Sequence, residues 1–477
     1  MKHLLRPRLL GAPSLSHTRY LHRTSHALNS HLAGATSIDN TTLQTPDTHP
    51  PRPSITATPP PLSLLALPTL IRSYLISAIS ATPILLTPSL WILSLLAHSK
   101  SPFWQVEHNR LLHYIVKKTI YAQFCAGETP SEVKRTATEL RKTGYQGVVL
   151  NYAKELVFDK GAPIEQNKHD EAKDIEDWHR GLLKTVNLVG HGDCAALKFS
   201  GAGPSVVKRL IGKLPPTAAV SQAMKEVCDH AQNTGIKLLW DAEQNAVQPG
   251  IDQWTLDLQR EYNRDGVAVV YGTYQAYAIS TPQLLAQHLA IAHREGFTLG
   301  IKLVRGAYMG SDPRRLFWAS KAETDRVHDK IAEALIRKEW NEVLRPIEET
   351  DRQKPAFPNV SLVLATHNHE SVRKAVAILQ EQRRTGQELI DLSYAQLMGM
   401  ADDLGTELIL AGKSSPGVTQ AKTGSSKTFK YTAWGSVREC LKYLLRRAEE
   451  NKGSLGRTRI GRLALGKELR RRLLSRF

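Results

Sequence analysis

The chain has 477 residues, 41% of them hydrophobic and 23% charged, with 63 Lys and Arg against 45 Asp and Glu for a formal charge of +18. That composition excludes a wholly disordered chain and is sufficient for a large core. The charge sits mostly at the ends: residues 1–38 carry five basic side chains and no acid, and 454–477 carry eight against Glu468 alone, which leaves +6 for the 415 residues between. A basic face throughout the fold is therefore excluded, and no nucleic-acid partner is expected.

In chain order, residues 1–38 are rich in Arg, His, Ser and Leu, the composition of a mitochondrial transit peptide. Residues 39–66 read as a Pro-rich disordered linker, with Pro46, Pro50, Pro51, Pro53, Pro59, Pro60 and Pro61. Residues 67–144 read as a helical region, partly hydrophobic. Within it, 73–97 holds no charged side chain but is interrupted by Pro83 and Pro88. A broken pair of short helices, packed on the domain or lying in a membrane interface, is expected rather than one span. Leu111, Leu112, Ile115, Ile120, Tyr121 and Phe124 then recur at helical spacing, and Thr129-Pro130 with Glu132 makes a capping box for a helix that Gly144 stops. Cys125, Cys194, Cys228 and Cys440 show no CxxC spacing, which fits a reducing compartment.

From residue 145 to 453, strand-like runs alternate with amphipathic stretches. The runs are 147–152, 194–200, 236–241, 267–275, 299–305, 360–366, 389–396 and, weakly, 428–432; helical patterns such as 281–295 and 369–384 lie between them. Alternation implies right-handed crossovers and a parallel sheet, and a count of eight points to a closed (β/α)8 barrel rather than an open doubly wound sheet. In such a barrel the C-terminal strand ends share one mouth. There the sequence supplies Lys198, Asp241 with Glu243, Gln275, Lys302 with Arg305, Thr366-His367-Asn368, Gln396 and Tyr431. Cations and carboxylates converging in a low-dielectric mouth are costly unless paired, and a bound anion or zwitterion relieves the cost. Gly201 and Gly203 lack the third glycine of a dinucleotide loop, and Gly412-Lys413-Ser414 lacks the first glycine of a phosphate loop. His367 and His369 with Asp241 and Glu243 offer a metal set for a barrel hydrolase, and Lys198 and Lys302 permit an imine-forming aldolase. Residues 437–451 form a closing helix on which Tyr443, Arg446, Arg447 and Glu450 cluster; two adjacent guanidinium groups favour an anion between them, a carboxylate in particular.

The motifs LLWDAE (238–243), TYQAY (273–277), KLVRGAY (302–308), ATHN (365–368), QLMGM (396–400) and YLLRRAEEN (443–451) together resemble the proline dehydrogenases of fungal mitochondria, over about residues 67–453. The resemblance implies a distorted TIM-type barrel binding FAD, oxidation of L-proline to Δ1-pyrroline-5-carboxylate, and ubiquinone as electron acceptor. It also implies peripheral association with the matrix face of the mitochondrial inner membrane. It implies Asp241 and Lys302 as active-site residues; Lys198, Arg446 and Arg447 as the carboxylate clamp, with Glu450 pairing the arginines; and Leu303, Tyr308, Tyr431 and Tyr443 around the ring. Ala242, Gln275, Val304, Arg305, Gly306, Thr366, His367, Asn368 and Gln396 match FAD-contacting positions, and no metal site is implied. Two points depart or compete. The YTAWGSV after Lys430 lacks a proline that many relatives carry, and hydroxyproline dehydrogenases are close competitors, with Tyr431 favouring proline. Finally, Leu465, Leu469 and Leu473 lie four apart among arginines, so residues 454–477 are expected to form a basic amphipathic tail that docks on an anionic membrane surface.

Overall fold

The β-branched runs of the sequence are buried on both faces, as strands of a parallel barrel must be. The computed structural model describes residues 59–99, 101, 103–153, 170–347, 355–413, 426–450 and 455–474. The expected transit peptide, and the expected linker as far as residue 58, lie outside the described residues.

A short strand β1 (Cys125–Gly127) precedes β2 (Gly147–Tyr152), β3 (Cys194–Leu197), β4 (Lys237–Trp240), β5 (Val270–Gln275), β6 (Leu299–Val304), β7 (Val360–Ala365), β8 (Asp391–Leu397) and β9 (Lys427–Trp434). Strands β2 to β9 pair in sequence order, all parallel, and β9 pairs with both β8 and β2. Eight strands therefore close the barrel. The weakest run in the sequence, 428–432, is the eighth strand and the longest of the set.

The helices are α1 (Leu67–Ser80), α2 (Pro83–His98), α3 (Arg110–Val116), α4 (Ala122–Phe124), α5 (Pro130–Thr143), α6 (Glu171–Leu188), α7 (Pro204–Ile211) and α8 (Ala218–Thr234). They continue with α9 (Gln248–Tyr262), α10 (Thr281–Glu295), α11 (Lys321–Arg337), α12 (His369–Arg384), α13 (Asp402–Lys413), α14 (Val437–Glu450) and α15 (Leu455–Leu474). Helices α6 to α14 pack around the sheet. The α5 start differs slightly from the expected capping box: the Thr129 hydroxyl accepts from the Glu132 N–H, but the Glu132 carboxylate reaches back to the Glu128 N–H, one residue earlier.

Strand alternation sorts side chains into two sets. Val149, Ala196, Leu239, Tyr271, Val363, Ala395 and Phe429 fill the barrel interior. Leu299, Ile301 and Leu303 of β6 face outward, in one apolar cluster with Val327, Ile331 and Leu335 of α11. Gly300 shows how closely the interior is filled, because a Cβ there would lie 2.2 Å from the Val270 carbonyl oxygen and 3.1 Å from the Tyr271 ring. Gly300→Ala is expected to lower stability by about 2–3 kcal/mol, since backbone cannot yield as a side chain does. Thermal unfolding of the variant checks this; an unchanged midpoint contradicts it.

The N-terminal region is a helical hairpin whose two helices have the length and apolarity of a membrane span only as a bent pair. Helices α1 and α2 are bent by 102° at their junction, and no single described helix is long and apolar enough to cross a membrane. Two expectations change here. The last part of the expected linker forms a 3-10 turn, Pro61–Leu64, whose Leu62 is buried. The C-terminal segment is helical and basic, but two of the three leucines of its stripe are covered: Leu465 is buried in a cluster with Leu62, Leu65 and Leu70, and Leu469 packs against it, while Leu473 is exposed. The buried Glu468 carboxylate holds Arg471 and Arg472, and Arg472 Nη2 donates to the carbonyls of Leu62, Ser63 and Leu65 at 2.9–3.0 Å. Helix α15 is thus a clasp on the N-terminal turn, because the protein's own apolar surface competes successfully for Leu465 and Leu469.

Candidate active site

At the C-terminal end of β4 the alternation that turns Leu239 inward also turns Asp241 inward. Its N–H donates to the Leu197 carbonyl at 2.8 Å, extending the ladder by one residue. The Asp241 carboxylate then takes three donors from three other strand ends: Lys302 Nζ at 2.5 Å, Lys198 Nζ at 3.0 Å and the Tyr431 hydroxyl at 2.7 Å. All four side chains are buried. Burial alone would raise the Asp241 pKa, but the two ammonium groups and the donated hydrogen bonds outweigh it and hold the carboxyl well below the ordinary range. Burial works against both lysines. The carboxylate more than offsets it at Lys198, which is raised, whereas Lys302 also faces Lys198 and Arg447 and is lowered. Two cations share one carboxylate, so the three side chains together carry a net positive charge that favours an anion beside them.

The loop carrying Lys198 is fixed from behind. The Trp178 indole N–H donates to the Lys198 carbonyl at 2.8 Å, and the Ser200 N–H donates to the buried Glu243 carboxylate at 3.1 Å. Helix α14 brings Tyr443 onto the same site, with the Arg447 and Arg446 guanidinium groups 5.4 and 6.0 Å from its ring centroid. A cavity of about 480 Å³ is lined at its inner end by Tyr431, Tyr443, Arg447 and His367. Arg446 does not line it. Tyr308 is buried, and burial pushes its hydroxyl up to about 12. The Glu450 side chain lies outside the described residues.

Leu303, expected beside the ring, is a correction: it exposes no surface at all and lies in the strand–helix core, because Lys302 points inward and the next residue must point outward. Among the expected cofactor residues, Arg305 is held by protein: it donates to Asp325 at 2.6 Å and to the Thr366 and Ser371 hydroxyls at 2.8 Å. Asn368 caps α12 by accepting from the Glu370 and Ser371 N–H groups. His367 Nε2 accepts from the Leu397 N–H at 3.0 Å, which assigns the ring proton to Nδ1. Gln275 lies at the end of β5, where its amide donates to the Glu243 carbonyl at 3.4 Å. Ala242 is buried beside Asp241, Val304 is half-buried, and Gly306 is exposed at φ +130°, with the Tyr277 ring 2.2 Å from where a Cβ would stand.

Sequence reasoning missed the roles of Asp325 and Asp329. They lie four apart on α11, one turn of spacing that aims both at Arg305, and this was the available signal. It also missed Trp178, for which no local signal exists.

The metal set does not assemble. His369 Nε2 lies 3.4 Å from Asp403, His367 serves β8, and Asp241 is occupied by lysines; among the described residues no group of three potential ligands converges. A flavin fits better. At the end of β8 both the Nε2 and Oε1 of Gln396 are buried without a hydrogen-bond partner among the described residues. A buried amide offering one donor and one acceptor complements the imide edge of an isoalloxazine, which carries both.

The proline dehydrogenase family matches residues 133–459, more than two thirds of the chain and all eight barrel strands. The chain belongs to the proline dehydrogenase family. It is an enzyme of that class, and it oxidises proline. A probable mitochondrial proline dehydrogenase of Schizosaccharomyces pombe is 28% identical over 403 residues, covering 74% of this chain and 80% of that one. A mouse (Mus musculus) hydroxyproline dehydrogenase is 26% identical over 427 residues, covering 77% of this chain and 85% of its own. Among solved structures, proline utilization A from Bdellovibrio bacteriovorus, inactivated by N-propargylglycine, superposes with a TM-score of 0.57 at 15% identity. That likeness covers 78% of this chain but 38% of the larger protein, and it shows the shared barrel fold.

Proposed function

We propose that the enzyme binds FAD at the barrel mouth, oxidises L-proline to Δ1-pyrroline-5-carboxylate and passes the electrons to a membrane quinone. The observation that carries this reading is the buried Lys198–Asp241–Lys302 cluster, joined through the Tyr431 hydroxyl to a cavity that Tyr431, Tyr443 and Arg447 line. A zwitterionic amino acid presents a carboxylate, which Arg447 and Lys198 attract, and a ring that Tyr431 and Tyr443 flank. Such anchoring fixes the carbon next to the ring nitrogen, and orientation of this kind is worth as much as about 7–11 kcal/mol of barrier. The bound flavin supplies the two-electron acceptor. Gln396, Gln275, His367 and Thr366 would hold it, while Arg305, committed to Asp325, Thr366 and Ser371, keeps the β6 and β7 ends in register beneath it. Lys302, with its lowered pKa, places a cation near the reaction centre that can also give up a proton. Tyr431 supports proline over its hydroxylated analogue, since its hydroxyl is already committed to Asp241.

The acid-free N-terminus and the mitochondrial name of the fission-yeast relative support a mitochondrial location, with the enzyme attached peripherally to the matrix face of the inner membrane. The purified protein is expected to be yellow, with a flavin spectrum that bleaches when proline is added anaerobically. A colourless protein, or a spectrum indifferent to proline, contradicts the proposal.

A further inference from the structure

We infer that the α1–α2 hairpin and α3 form the surface on which this enzyme sits in an anionic bilayer. The inference deepens the reading of a membrane quinone as acceptor and rests on it. Each of the three helices buries one face and leaves a second apolar face in the open. On α1 the exposed stripe is Ile71, Leu75 and Ile79, spaced by four. On α2 it is Ile84, Leu85, Trp91 and Ile92, spaced by seven, with Ile84 84% and Trp91 66% exposed. Phe103 and Trp104 follow, packed edge to face at 5.2 Å and both exposed. Helix α3 and the turn after it then present Leu111, Tyr114 and Ile115. A soluble surface rarely shows so much contiguous-sequence apolar area, and the mixture of aliphatic side chains with Trp, Phe and Tyr is that of an interfacial layer.

The charge pattern names the occupant. Between residues 61 and 127 there are five Lys and Arg and a single acid, Glu107, which lies 3.4 Å from Arg438. Of the five, Lys117 pairs with Glu128 and Glu132 and Arg72 donates to Gln123, so among the described residues Arg110 and Lys118 are the exposed cations beside the stripe. Arg110 and Lys118, both exposed, bracket Tyr114 at helical spacing of four, and Lys118 Nζ lies 5.8 Å from the Tyr114 ring centroid. Long cationic side chains on either side of an apolar stripe reach for phosphate when the stripe enters lipid. A protein partner with an acidic rim would match the charges as well, but the exposed side chains are aliphatic with Trp, Phe and Tyr spread over three successive helices, the composition of a lipid interface rather than of a single peptide site.

The active-site cavity opens on this same face. Its walls run from Tyr431, Tyr443 and Arg447 to Leu86 and Leu90 of α2, and its rim includes Ile79 and Ile460, both exposed. A lipid-soluble acceptor entering between α1, α2 and α15 would therefore reach the barrel mouth without crossing water. Helix α15 contributes by clasping the hairpin in place rather than by docking itself.

The test uses the full chain with phosphatidylcholine vesicles, plain or with about 20% cardiolipin. The triple variant Ile84→Asp/Trp91→Asp/Ile115→Asp is expected to lose vesicle binding at least about 10-fold and to lose reduction of a vesicle-dissolved quinone in parallel. Its proline turnover with a water-soluble dye is expected to stay at the wild-type level, which also shows that it folds. Arg110→Gln/Lys118→Gln is expected to abolish the gain given by cardiolipin. Undiminished vesicle binding by the triple variant overturns the inference. So does a wild-type dimer that the triple variant dissociates without any vesicle binding in either, since the face would then belong to a second copy. Absence of proline-dye turnover in the wild type would instead contradict the catalytic reading, and leaves the flotation result to stand or fall by itself.

Discussion

Asp241→Asn is expected to reduce kcat/KM for proline by about three orders of magnitude and to destabilise the fold by about 3–5 kcal/mol. The substitution is nearly isosteric, so the loss comes from charge. In the wild type the carboxylate accepts from Lys198, Lys302 and Tyr431 at 3.0, 2.5 and 2.7 Å. A neutral amide leaves two buried ammonium groups facing each other with nothing between them. Both lysines then shed protons more readily, and the cation that attracts the substrate carboxylate weakens. The acid limb of stability carries the same signature. The folded-state pKa of Asp241 lies below its unfolded value, so its contribution is complete above about pH 4 and drains as acid titrates the folded carboxylate. Wild type and variant are therefore expected to converge in stability at low pH and to diverge toward neutrality. Asp241→Glu, which keeps the charge, should recover part of the stability. A variant as stable as the wild type at pH 7, or one whose deficit does not shrink in acid, contradicts the arrangement.

The barrel was legible because its signals are local and repeated. Eight β-branched runs each had to be buried on two faces, and helical stretches such as 281–295 and 369–384 are bounded in the structure where their turn and capping residues stand. The identity of the mouth residues was legible for a related reason: period-two alternation carries a core position such as Leu239 directly to Asp241. Other features depend on which surfaces meet. Leu303 read as a ring contact from its motif, yet the same alternation, applied one residue later, sends it to the helix side. Leu465 and Leu469 of α15 read as part of a membrane-binding stripe with Leu473, but Leu62, Leu65 and Leu70 compete for the first two and leave Leu473 exposed, and no pattern within 454–477 announces a partner four hundred residues away. Conversely, 73–97 read as ambiguous between packed and interfacial, and in the structure its helices bury one face and leave apolar side chains such as Ile84 and Trp91 exposed on another. Gln396 stood out in the sequence as a strand-end polar residue and, by resemblance, as a flavin contact; that both of its polar atoms are buried without partners among the described residues is a property of three dimensions.

Arg447→Met should raise KM for proline by about 100- to 20,000-fold while leaving flavin content unchanged. A guanidinium–carboxylate pair contributes two charge-assisted hydrogen bonds of about 1.5–3 kcal/mol each, which at 1.4 kcal/mol per decade gives that range. The sequence presents Arg446 and Arg447 as equals, but only Arg447 lines the cavity with Tyr431 and Tyr443. Adjacent residues on a helix point about 100° apart, so the two cannot face one cavity alike. Arg446→Met is accordingly expected to raise KM less. Arg447→Lys keeps the charge but not the planar fork, and should fall between wild type and Met. Because the proposed ring contacts, Tyr431 and Tyr443, are untouched, saturating proline should restore most of kcat in the Met variant. Loss of flavin from Arg447→Met would show that the arginine holds cofactor rather than substrate, and an equal effect at Arg446 would show that α14 rotates when the ligand binds.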